Sequence, residues 1–164
     1  MQNHIKKYLK EALFFVVFLT IAMNVVSYYR ASDLNKNRLD IKHVTLIDGR
    51  NITLPKNRPI MIHFWATWCP ICKLEAPNIE KISKDYDVIT IAVQSGTQKE
   101  IQAYLDEHKL HFNVVNDKEG FYAKKFHITV FPTTLMYDKE GRLKFSEVGY
   151  TTTAGLYARM LMSQ

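Results

Sequence analysis

From residue 43 onward, apolar residues fall in short blocks separated by polar or turn-forming stretches, the pattern of alternating strands and helices. Ile60-Met61-Ile62-His63-Phe64-Trp65 is almost unbroken and predicts a buried strand. Ahead of it, residues 43–47, an Asp48-Gly49 turn and residues 51–54 predict a β-hairpin. Residues 70–86 predict a helix opened by a proline near its first position. A strand at 88–93, a helix at 97–108 and a strand at 112–115 follow. Ile101, Tyr104, Leu105 and His108 give that helix one largely apolar face. Next come a short helix near 120–126, a strand at 133–137, a turn at 138–141, a strand at 143–148 and a helix at 152–162. The order predicts an α/β sandwich around a mixed central sheet.

The first 30 residues follow a different rule. Residues 12–29 carry no charge and are preceded by Lys6, Lys7 and Lys10. At about 1.5 Å per residue this stretch reaches ~27 Å, enough for one membrane span with snorkelling of Lys10 and Arg30. Tyr28-Tyr29 stands where an interfacial anchor would. The alternative is a cleaved signal peptide; the aromatic pair directly after Val25-Val26-Ser27 favours a retained anchor. The lysines before the span predict a cytoplasmic segment 1–11, with Arg30, Lys36 and Arg38 opposing that assignment from the far side. The expected division is a transmembrane anchor at 12–29, a polar linker at 30–42 and one domain at 43–164 facing the periplasm from the bacterial inner membrane.

Charge adds bounds only. The chain carries +6, but residues 31–164 hold 18 Lys and Arg against 15 Asp and Glu, a net +3 that gives no argument for nucleic acid. Cysteine is more informative. The only two are Cys69 and Cys72, at a strand-to-helix junction, where helix amides and dipole favour a thiolate on Cys69. Cys69 is then the attacking sulfur and Cys72 the resolving thiol of a redox-active disulfide. Two other readings remain. The pair could ligate zinc or Cu(I), though no second Cys-x-x-Cys and no His-x-x-x-His completes a tetrahedral site. It could be a structural disulfide, yet so short a loop restricts the unfolded chain little.

Phe64-Trp65-Ala66-Thr67-Trp68-Cys69-Pro70-Ile71-Cys72, Pro77 on the same helix, and Phe131-Pro132-Thr133-Thr134 before a strand resemble the thioredoxin fold over about residues 43–162. The N-terminal hairpin, the Cys-x-x-Cys-x-x-Glu arrangement and the additional helix-strand unit at 97–116 are similar to the TlpA/ResA/DsbE branch of membrane-tethered thiol oxidoreductases. Cys-Pro-Ile-Cys, Val93-Gln94-Ser95-Gly96, Val115-Asn116-Asp117 and Val148-Gly149-Tyr150-Thr151-Thr152 most resemble its ScsD-like group, named for suppression of copper sensitivity.

The resemblance implies a cis-proline at Pro132, against the alternative of a trans proline opening a strand. It implies a catalytic set of Cys69, Cys72, Glu75 and Pro132, with Trp68, Pro70, Ile71, Phe131 and Thr133 on the substrate face. Glu75, three residues after Cys72, is then a proton acceptor for that thiol; spacing alone equally allows a solvated helix glutamate. His63, six residues before Cys69, is a second candidate for proton handling or an ordinary hydrogen-bonded sheet residue. Trp65 and Trp68 are expected as apolar walls of the site. No cofactor is expected. The partners are periplasmic protein thiols and disulfides and a membrane thiol electron donor or acceptor. Reduction of selected proteins is the favoured direction, with disulfide formation and copper handling as the alternatives.

Overall fold

A computed structural model describes residues 38–164 continuously, together with residues 8, 10, 11, 13–15, 17, 18, 21, 22 and 25. The expected anchor at 12–29 and most of the linker therefore lie outside the described residues or among these scattered positions. Among the described residues no helix is long and apolar enough to cross a membrane.

Strand β3 (Ile60–Trp65) is the middle of a five-stranded sheet of order β5-β4-β3-β6-β7. On one side it runs parallel to β4 (Asp87–Val93), which runs parallel to β5 (Asn113–Asp117); on the other it pairs antiparallel with β6 (Thr133–Tyr137), which pairs antiparallel with β7 (Leu143–Val148). The expected hairpin is a separate antiparallel pair, β1 (His43–Thr45) and β2 (Asn51–Thr53). Four helices complete the domain: α1 (Pro70–Ile82), α2 (Gln98–His108), α3 (Phe121–Lys125) and α4 (Thr153–Leu161).

Every residue of β3 is buried because both faces of the sheet are covered, which is why the strand reads as a continuous run instead of an alternation. Ile60, Ile62 and Phe64 enter one core with Ile89, Ile91 and Leu135, covered by the hairpin and α3. Met61 and Trp65 enter the other with Ala92, Val114 and Met136, covered by α1, α2 and α4. Strand alternation puts His63 on this second face as well.

Two boundaries differ from expectation by more than two residues. Helix α1 ends at Ile82, where the Ser83 amide donates to Ile79 and the amides of Asp85 and Tyr86 fold back onto Ile82, turning the chain into β4. At the other end, domain packing begins before residue 43. Ile41 is in the core, Leu39 N–H donates to Gly141 O at 2.9 Å and Asp40 pairs with Lys125 at 2.9 Å. The end of the expected linker is thus part of the domain.

Candidate active site

Cys69 is the N-cap of α1, extended at φ −90° and ψ 112°, and Pro70 occupies the first turn where its missing N–H costs nothing. Its sulfur accepts the Cys72 amide at 3.1 Å and sits over the positive end of the helix dipole, with no acidic side chain in that turn. Cys69 and Cys72 form a disulfide, Cα to Cα 5.3 Å. Cys69 keeps 6% of its surface exposed and Cys72 only 2%, so the first sulfur is the more accessible.

The segment before Cys69 is clamped to the end of β4. Thr67 N–H donates to Ser95 Oγ at 3.1 Å, Ser95 Oγ donates to Val93 O at 3.0 Å, and Trp68 Nε1 donates to Gln94 O at 3.1 Å. Asn116 Nδ2 reaches Gly96 O at 3.1 Å, and the Gln94 amide reaches Asp117 O at the same distance. The two motifs at 93–96 and 115–117 therefore form the scaffold under the dithiol loop.

On the facing side the Phe131–Pro132 peptide is cis, and Pro132 O accepts the Gly149 amide at 2.8 Å. Phe131 meets Trp68 edge-on with centroids 5.7 Å apart. Trp68 is 60% exposed, and Pro70, Ile71 and Leu74 are exposed too, so the dithiol is ringed by accessible apolar surface.

Two expectations need correcting. Trp65 packs in the core that holds the two cysteines, on Tyr104 at 5.4 Å and Phe112 at 5.9 Å, but its burial leaves it no surface for substrate. Thr133, expected on the substrate face, has its side chain buried, with its hydroxyl donating to Val130 O at 2.8 Å.

Glu75 is fully buried. Its Oε1 accepts the Thr151 amide at 2.9 Å, while Oε2 has no partner among the described residues. Burial pushes the carboxyl up from 4.5 to about 8; the Thr151 hydrogen bond pulls against this and the charge of Glu147 adds to it. Glu147, from β7, is ion-paired with Arg159 of α4 at 2.5 Å. The layer is closed by Asn78, whose Nδ2 donates to Thr151 O at 2.9 Å and whose Oδ1 accepts from Thr153 Oγ1 at 2.8 Å. His63 is buried, sharing a 2.9 Å hydrogen bond between Nδ1 and Thr134 Oγ1, and desolvation lowers it to about 3, so it is neutral at physiological pH. His63, Thr134 and Glu147 stand in one register row across β3, β6 and β7.

Glu147, Arg159, Thr151 and Asn78 have no signal of their own in the sequence. Their partners lie far away in the chain, and only the motif at 148–152 marks the region. Among the described residues no group of three or more His, Cys, Asp or Glu could hold a metal ion.

A dithiol at a helix N-terminus, facing a cis-proline on a five-stranded mixed sheet, defines a thioredoxin-fold thiol-disulfide oxidoreductase. Comparison with known proteins agrees: the chain matches the AhpC/TSA family over residues 29–146 and belongs to it. A thioredoxin-like protein of Haemophilus influenzae is 30% identical over 98% of this chain and 97% of its own length. The thiol-disulfide oxidoreductase ResA of Bacillus thuringiensis is 27% identical over 80% of this chain and 84% of its own. The crystal structure of StoA from Bacillus subtilis superposes with a TM-score of 0.64 at 26% identity, covering 71% of this chain and 93% of that one. These relatives are consistent with the TlpA/ResA/DsbE branch.

Proposed function

We propose that this protein is anchored in the bacterial inner membrane by residues 12–29, faces the periplasm, and reduces disulfides of selected periplasmic proteins. The dithiol carries the reading: the more accessible cysteine caps the helix, and Glu75, a buried ionisable carboxyl, follows the buried Cys72 by three residues on the same helix. In the reduced protein, the Cys69 thiolate attacks a substrate disulfide, forming a mixed disulfide and expelling one substrate thiolate. Cys72 then attacks Cys69 Sγ, expels the second substrate thiolate and closes the disulfide seen here. Glu75 takes the Cys72 proton in that step. A dithiol donor in the membrane returns two electrons, and protonated Glu75 gives the proton back to Cys72. A carboxyl poised at about 8 serves both directions near neutral pH. Placement in the membrane is supported by the uncharged stretch at 12–29 and by exposed apolar side chains at Leu13, Phe14, Phe15, Phe18 and Ile21.

Equilibration of the full chain in glutathione buffers, with trapping of free thiols, tests the direction of flow. A potential near −270 mV, as in thioredoxin, supports a reductant, and one near −120 mV establishes an oxidant instead.

A further inference from the structure

The pole of the domain remote from the dithiol carries a cleft of about 630 Å³. Ile41, Leu54 and Ile60 contribute to an apolar floor, and Arg38, Lys42, Lys56, Arg58 and Lys139 stand around it. The two acids in the lining are already answered: Arg142 holds Asp138 at 2.8 Å and Glu140 at 2.9 Å. Arg58 leans on Asp87 at 3.3 Å. Arg38, Lys42, Lys56 and Lys139 form no ion pair among the described residues. Asn57, with φ 65°, turns the chain so that the cations on either side of it border the cleft. Residues 31–164 as a whole carry only +3, so this concentration of positive charge is local.

The same pole is where the chain enters the domain, pinned by the Leu39–Gly141 hydrogen bond and the Asp40–Lys125 ion pair. Between a span ending at residue 29 and Arg38 lie eight residues, which reach at most about 28 Å when extended. We propose that the cleft binds the headgroup of an anionic phospholipid in the membrane that carries the anchor. This rests on the anchored reading above.

The unpaired cations meet the headgroup phosphates, an attraction that acts within a Debye length of the surface, and the apolar floor receives the glycerol and upper acyl region. The functional consequence is orientation. The cleft borders Ile60 at the start of β3 and the dithiol follows its far end, roughly 20 Å away along the strand. A domain seated on the bilayer by this pole presents Cys69 outward to soluble proteins.

The test reconstitutes the full chain into nanodiscs of phosphatidylcholine alone or mixed with phosphatidylglycerol and follows lysine acetylation by mass spectrometry. Lys42, Lys56 and Lys139 should react several-fold more slowly in the anionic discs, with protection lost at high salt. Lys73 and Lys99, exposed near the dithiol end, should react alike in both. The K56E/K139E double variant, checked for fold by circular dichroism and by its Cys69–Cys72 disulfide, should lose the protection of Lys42. Equal rates at Lys42, Lys56 and Lys139 in the two lipids overturn the proposal. So does equal protection by soluble glycerol phosphate in phosphatidylcholine discs, which would make the cleft a free-anion site. Alkaline carbonate separates the two readings: a chain stripped from vesicles overturns the anchor itself, whereas a chain retained but unprotected overturns only the cleft.

Discussion

The two faces of the central sheet are built to different specifications. The face beneath the hairpin and α3 is apolar where β3 meets it, with Ile60, Ile62 and Phe64 packed against Ile89, Ile91 and Leu135. The opposite face, beneath α1, α2 and α4, holds the two cysteines, and there His63, Thr134 and Glu75 are buried to the same depth. Burying a polar group costs free energy unless it is hydrogen-bonded, and Glu75 Oε2 is left without a partner among the described residues. One face thus supplies stability, and the other spends part of it on groups that can move protons.

The comparison breaks most sharply at the dithiol. Cys72→Ser should abolish multiple turnover while leaving the fold intact, and the mixed disulfide on Cys69 should accumulate on non-reducing gels. On the apolar face, Phe64→Ala should lower stability by about 3–5 kcal/mol in denaturant titration. Its reduction potential should be unchanged, because Phe64 lies in the core that does not contain the two cysteines.

On the reactive face, Glu75→Gln should slow thiol-disulfide exchange by about 10²-fold and flatten its pH dependence, read by stopped-flow. It should also change stability against pH. The folded protein holds the Glu75 proton up to about 8 and the unfolded chain only to 4.5, so this group's contribution is complete below 4.5 and lost as pH rises toward 8. The variant should lack that decline. The smallest effect is expected from Glu147→Gln, which removes a like charge and frees Arg159. The Glu75 carboxyl should then titrate below about 8, measured by carboxyl NMR titration. A drop in melting temperature without that shift would reduce Glu147 to a packing role.

How much of this could be read in the sequence follows the same division. β3 and β6 lie where the sequence places them, because the burial of each strand extends over consecutive residues. The dithiol, its proline and the cis Phe131–Pro132 peptide carry local motifs. The setting of Glu75 does not: its hydrogen bond to Thr151 spans 76 residues, and the charge beside it arrives from β7. Trp65 misled for a related reason. Trp65 is the last residue of β3 and is buried with the strand, whereas Trp68 lies in the turn beyond it and is exposed.

The contacts that bind α1 to the segment at 147–160 also set an order of events in synthesis. Asn78 and Glu75 find their partners at Thr151 and Thr153, and Leu156 and Met160 lie in the core that also holds the cysteines. A chain emerging from its N-terminal end exposes Cys69 and Cys72 long before those residues follow. In the nascent chain the two thiols are ordinary cysteines, open to whatever oxidant meets them. They become a tuned pair only when the downstream strand and helix close over α1.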